Sequence, residues 1–329
     1  MTAGREGILD AFERRLERWI ARFTGDSPVY EMVAYHFGLS DEGRRGKRLR
    51  PQLCLLVAQA DGGDAEAAFD AALAVELLHN FSLIHDDIED GDHVRHGRAT
   101  VWSRYGLAHG INAGDALCSI AYLALLENAA GLSADRIATM SRVLHQAQLE
   151  MCAGQALDIS FETASSVDLD AYLRMVEGKT AALFRATAEM GAVAAGIDAA
   201  RAQAYGELAR LYGMAFQIQD DLLGIWGDFE VTGKPSGADL RRRKWTYPVV
   251  WGIASGAQEA AEAYRRGHSL DDAEVDAARR ALERAGAPAA AERALDGYLE
   301  RAETLAREGS LDRAGGVRGF LAQGARRSA

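Results

Sequence analysis

Five prolines in 329 residues leave this chain few places where a helix is forced to stop. Ordinary usage of about 5% would place roughly sixteen there. Proline removes a backbone donor and clashes with the preceding turn, so long helices exclude it from their interiors. None of Pro28, Pro51, Pro235, Pro248 and Pro288 interrupts a long apolar-periodic stretch. Helical periodicity runs over 6–23, 29–38, 47–60, 64–90, 107–130, 133–162, 168–195 and 198–226, with shorter segments to about 325. No segment alternates convincingly as a strand. Ser133, Asp168 and Asp198 are candidate N-caps, and Gly131 and Gly196 candidate stops. Short connections predict antiparallel neighbours. The expectation is an all-α, single-domain antiparallel helix bundle over 1–329. One stretch breaks the pattern: GDFEVTGKPSGADLRRR, about 227–243, is rich in glycine and charge and is expected to be an active-site flap.

Charge and composition narrow the function. At 48% hydrophobic and 26% charged the chain lies far from the disordered class. A net charge of −11 removes the basic footprint that nucleic-acid binding needs. An acidic protein that handles anions must do so with local cations. Cys54, Cys118 and Cys152 show neither metal nor disulfide spacing, which suits a reducing, cytoplasmic setting. The N-terminus carries charge from residue 5 and no apolar signal core, and no membrane insertion is expected.

Two acidic clusters stand at the ends of apolar helices. The first is Asp86-Asp87-Ile88-Glu89-Asp90, after Leu73, Val75, Leu77, Leu78, Phe81, Leu83 and Ile84. Asp86 and Asp90, four apart, share a helix face, where like charges cost a few tenths of a kcal/mol. Acids at a helix C-terminus also oppose the macrodipole. The second is Asp220-Asp221, after Leu211, Met214, Phe216 and Ile218. Mg²⁺ is commonly held by one or two carboxylates, waters and substrate phosphates. Two such helices facing each other would make a cage completed by a diphosphate. Either cluster alone is compatible with a solvated acidic helix end. Their pairing, each followed by basic or Gly-rich sequence, argues against that.

The cations are grouped as well. Gly46-Lys47-Arg48-Leu49-Arg50-Pro51 marks a loop-to-helix entry, and Lys47 and Arg50 are expected to share a face and clamp one anion. Gly178 precedes Lys179 and Thr180 in mid-helix, where glycine costs about 1 kcal/mol against alanine and marks a kink or close approach. Lys234 and Lys244 flank the flap, and Arg95 follows the first cluster. Lys234 or Lys244 alone fits a solvated loop charge, and His79 alone a satisfied interior histidine.

Taken together, GKRLRP (46–51), ELLHNFSLIHDDIEDGDHVRHGRAT (76–100), INAGD (111–115), GQALD (154–158), EGKTAALF (177–184), FQIQDDLLGIWGD (216–228) and TGKPSGADL (232–240) resemble the trans-prenyl diphosphate synthases, the polyprenyl synthetase family. The resemblance implies a helix bundle around a deep cavity, a homodimer, and three Mg²⁺ ions per site with substrate bound. It further implies Mg²⁺ ligation by Asp86, Asp90 and Asp220, with Asp87 and Asp221 in support. Lys47, Arg50, His79 and His96 would grip isopentenyl diphosphate; Arg95, Lys179, Lys234 and Lys244 would grip the allylic diphosphate. Thr180 and Gln217 would line the reacting carbons with Lys179. The implied reaction is ionisation, condensation and elimination, with released diphosphate as base.

The chain departs from the family pattern twice. The usual arginine pair after the first cluster is Arg95-His96, and histidine titrates near neutrality. Gly224 stands where many members carry a third aspartate, and Asp228, one turn on, is a candidate substitute. Phe81 lies five residues, about 7.5 Å, before Asp86 and is followed by the small Ser82. In the family that pattern goes with a twenty-carbon product, geranylgeranyl diphosphate, with farnesyl or longer products as alternatives. Phe81 packing simply as core is the competing reading. A class I terpene cyclase would not need the Lys47/Arg50/His79 set, and a non-catalytic regulatory subunit usually loses one aspartate motif.

Overall fold

A computed structural model describes residues 2–39, 46–227, 236–313 and 315–325. Its described residues are overwhelmingly helical: α1 (Thr2–Ile20), α2 (Pro28–His36), α3 (Leu49–Ala60), α4 (Phe69–Glu89), α5 (Val101–Tyr105), α6 (Leu107–Glu127), α7 (Ala134–Glu162), α8 (Leu169–Val176), α9 (Ala182–Ala194) and α10 (Ala199–Trp226). Further helices span Ala238–Arg241, Tyr247–Ala254, Gln258–Arg265, Asp272–Arg284, Ala287–Glu308 and Gly316–Ala325. The chain groups into two compact units, 1–145 with 186–205 and 146–185 with 206–329.

Local chemistry sets the helix ends. Asp168 accepts the Ala171 amide at 2.7 Å and Asp198 the Arg201 amide at 3.0 Å, as N-caps. Gly196 is left-handed just beyond α9 (φ 78°). The α6 helix stops earlier than Gly131. Asn128 takes the left-handed position (φ 48°) and its amide closes on the backbone N–H and C=O of Leu132, at 2.8 Å each.

In the first unit α4 is buried on nearly every side. Ala65–Glu89 is long and apolar enough to cross a membrane, yet 78% of its most apolar window is buried in protein. The α6 helix reaches α4 through two glycines. A side chain at Gly110 would fall 2.9 Å from Ile88 Cδ1, and one at Gly114 would overlap the His85 ring. A two-residue hairpin, β1 (Val94–Arg95) and β2 (Arg98–Ala99), follows α4. It was not foreseen as strand, because two residues are too short to show alternation. His96 (φ 53°) and Gly97 (φ 80°) form its turn, as a primed turn requires. Arg98 pins the hairpin by donating to the Tyr35 and His36 carbonyls at 2.8 and 3.1 Å.

In the second unit the stretch expected as one helix over 168–195 contains a π-helical turn, Glu177–Ala181. The turn coincides with a glycine-on-glycine crossing. A Cβ on Gly178 would lie 2.6 Å from the Glu150 carbonyl and 3.0 Å from Gly154 Cα. One on Gly154 would lie 2.7 Å from the carbonyl carbon of Gly178. A Cβ on Gly213 of α10 would lie 2.9 Å from the Cα of Ala181 in the same turn.

Candidate active site

In the first unit the cluster on α4 is sorted by burial. Asp87 is 1% exposed, whereas Asp86 and Asp90 are partly exposed. Asp87 Oδ1 accepts from Arg95 Nε at 2.7 Å. Burial pushes its carboxyl up to about 6 against the pull of Arg95. The second acid of the cluster therefore orients the arginine, and the first and last face outward. Asp92 continues the brace: its carbonyl accepts from Thr100 Oγ1 and Trp102 Nε1, both at 2.9 Å, fixing the hairpin that carries Arg95 and His96. Burial, followed by Arg95, Arg98, Arg48 and Lys47, holds His96 below the ordinary imidazole range.

Arg50 donates from Nη1 to His79 Nε2 at 3.0 Å. Burial and the surrounding cations keep His79 well below its usual pKa, hence neutral and able to accept that bond. Lys47 does not share a helix face with Arg50. The α3 helix begins at Leu49, and Arg48 before it is left-handed (φ 49°), so the three-residue spacing argument fails there. Lys47 is exposed, while the buried Arg48 donates to Glu13 at 2.8 Å and Glu76 at 2.7 Å. Nothing in the spacing distinguished the anchoring arginine from its neighbours. Phe81 is 8% exposed and meets His85 edge-on at 4.9 Å between centroids. Ser82 turns its hydroxyl onto the His79 carbonyl at 2.8 Å.

In the second unit the same sorting recurs. Asp220 is partly exposed and Asp221 is 5% exposed. Asp221 Oδ2 accepts from the Tyr172 hydroxyl and, at 2.7 Å, from the Tyr247 amide. Its Oδ1 accepts from Gln217 Nε2 at 3.0 Å, and Thr180 Oγ1 donates to Gln217 Oε1 at 2.8 Å. Burial pushes the Asp221 carboxyl up to about 7, in spite of these donors. Lys179 projects from the π turn onto Asp158 at 2.5 Å. Asp158 is the last residue of GQALD, whose Gly154 makes the crossing. Motif spelling flagged that pentapeptide without disclosing the pairing.

At Gly224 the missing aspartate has a spatial counterpart. A Cβ at this position would overlap the Asp239 carboxylate, which therefore lies where a side chain from α10 would begin. Lys244 follows nearby, its amide bonded to the Asp239 carbonyl at 2.8 Å. Lys234 and Asp228 lie outside the described residues, as do 228–235 of the expected flap. Asp239 was not singled out from sequence, since it is fifteen residues from Gly224 along the chain.

No group of three His, Cys, Asp or Glu able to hold a metal ion by itself occurs among the described residues.

Comparison with solved structures places this fold among the isoprenoid diphosphate synthases. A polyprenyl synthetase from Streptomyces coelicolor has a TM-score of 0.87 at 34% identity, covering 99% of this chain and 97% of that one. A geranylgeranyl diphosphate synthase of Mycobacterium tuberculosis is 40% identical over 285 residues, 84% of this chain and 80% of its own length. A farnesyl diphosphate synthase of Mycobacterium bovis is 45% identical over 237 residues, 70% of this chain; the match spans 65% of that relative's length. The polyprenyl synthetase family model matches residues 30–284. The chain belongs to the polyprenyl synthetase family.

Proposed function

We propose that this chain is a Mg²⁺-dependent trans-prenyltransferase that condenses isopentenyl diphosphate with an allylic diphosphate, with geranylgeranyl diphosphate as product. One observation carries the reading: in both acidic clusters the second aspartate is buried as a brace, leaving Asp86, Asp90 and Asp220 partly exposed. A merely solvated acidic helix end has no reason to be sorted twice in the same way. Asp86 and Asp90 on one helix and Asp220 on another are the residues that would hold Mg²⁺. Bound there, Mg²⁺ supplies neutralisation of the charge that develops on the departing diphosphate.

The protein's own groups do the rest. Arg95, Lys179, Lys234 and Lys244 grip the allylic diphosphate; Arg50, His79, Lys47 and His96 grip isopentenyl diphosphate. Thr180 and Gln217 turn oxygen atoms toward the carbons that become cationic. Apolar helix walls keep water from that cation. The assay supplies each allylic starter with isopentenyl diphosphate and Mg²⁺, then dephosphorylates and sizes the products. Linear prenyl alcohols support the reading; cyclised hydrocarbon, or no turnover from any starter, removes it.

Product length rests on Phe81. Phe81→Ala is expected to shift the distribution toward longer chains, because it removes a floor from the space beside α4. An unchanged distribution would return Phe81 to the core.

His96 sets the pH dependence of isopentenyl diphosphate binding. A neutral imidazole among Arg95, Arg98, Arg48 and Lys47 gains a proton more readily once an anion arrives beside it. Binding then takes up a proton and tightens as pH falls. Between about pH 8 and pH 6 the KM for isopentenyl diphosphate should fall. His96→Arg should lower that KM at the upper end and flatten the profile; equal profiles for the two proteins would refute the role.

A homodimer fits the outward side of α6, which exposes Leu107, Ile111, Leu123 and Leu126 at 55, 43, 50 and 60%. A second copy is the occupant the family resemblance supports. Light scattering should give twice the 35.5 kDa chain mass, and a monomer mass would reject this interface.

A further inference from the structure

We propose that Asp221 is a positioning residue rather than a metal ligand. By taking the N–H of Gln217 it sets which end of that amide faces Thr180, and so the direction of the Thr180 hydroxyl. This rests on the prenyltransferase reading, which places Thr180 and Gln217 beside the reacting carbons.

Asp221 is 5% exposed and both its oxygens are engaged, Oδ2 by the Tyr172 hydroxyl and the Tyr247 amide, Oδ1 by Gln217. Three donors converge on it, which favours the ionised form, and an ionised carboxylate only accepts. The nitrogen end of Gln217 must therefore face Asp221, one helical turn away on α10. The oxygen end is left for Thr180 Oγ1 at 2.8 Å, where the hydroxyl has to donate. The Thr180 proton is thereby used up inside the protein, and its lone pairs are left for positive charge that develops on ionisation. Tyr172, 1% exposed, and the Tyr247 backbone hold Asp221 itself in place.

Asp221→Asn keeps the shape and reverses the polarity. The two donors at Oδ2 keep an oxygen there, so the new NH₂ faces Gln217. Gln217 must then turn over, presenting its own nitrogen to Thr180. With the full-length protein we expect kcat to fall about 100-fold, while the Mg²⁺ activation midpoint and both KM values stay within about threefold of the parent. Adding Gln217→Glu should recover about tenfold of the loss: the Asn amide donates to one Glu oxygen and the other again accepts the Thr180 hydroxyl. Thr180→Val, which deletes the hydroxyl without changing size, should lower kcat comparably with KM unchanged; it serves as the test should Asp221→Asn fail to fold.

A shift of the Mg²⁺ midpoint by about tenfold or more in Asp221→Asn would make Asp221 a metal ligand and overturn the proposal. So would an unchanged kcat in Thr180→Val, or a double variant no faster than Asp221→Asn. Failure of the parent protein to make any prenyl product is a different outcome, and it would remove the prenyltransferase reading itself.

Discussion

Asp86→Asn and Asp220→Asn are each expected to lower kcat about a thousandfold, with the Mg²⁺ activation midpoint moved upward. The size follows from where charge develops: removing one preorganised group that stabilises a departing anion costs about 10²–10³-fold. Asn keeps the shape and removes the negative charge that attracts the cation. Asp87→Asn is the informative contrast. Asp87 is buried on Arg95, so its loss should weaken allylic diphosphate binding and leave the Mg²⁺ midpoint near the parent value. Steady-state titrations of Mg²⁺ at saturating substrates separate the two cases. Equal midpoints for Asp86→Asn and the parent protein would refute the ligand assignment.

Gly178→Ala should do more damage than its place in a helix predicts. Propensity alone favours alanine by about 1 kcal/mol. Opposing it, the new methyl would sit 2.6 Å from the Glu150 carbonyl oxygen and about 3 Å from Gly154 Cα and N. All three are backbone atoms, which cannot swing aside as a side chain can. Forcing an extra methyl into a packed interface costs about 1–3 kcal/mol, occasionally more, so the clash wins. The melting temperature should fall by about 5 °C, given about 2–4 °C per kcal/mol in a domain of this size. Because Lys179 and Thr180 lie in the same π turn as Gly178, kcat should fall about 100-fold as well. Gly297→Ala is the control: nothing lies within 4 Å of a Cβ there, so it should stabilise by up to about 1 kcal/mol. Equal melting temperatures for the two variants would show that the crossing tolerates a side chain.

Local signals account for what was legible before the structure. The N-caps at Asp168 and Asp198 appear where a short polar side chain precedes an apolar period, because capping involves residues two or three apart. The Gly178 crossing was foreshadowed, since a glycine in mid-helix is costly without a reason. The α6 terminus was misplaced by three residues, because Asn128 can adopt the left-handed cap that Gly131 was expected to supply. The hairpin after α4 escaped notice because its strands are two residues long.

By itself, then, the sequence determined the helical class, most helix limits and the two aspartate clusters with their cationic company. Each of these is written in spacings of a few residues. Tertiary structure alone decided which acid of each pair is a brace and which faces outward. It likewise decided that Arg48 and not Lys47 is the buried anchor, that Asp158 holds Lys179, and that Asp239 fills the place beside Gly224. The physical reason is common to them all. Which side of a segment is interior depends on what packs against it from elsewhere in the chain, and spacings of a few residues, such as the about 100° between helical neighbours, do not encode that.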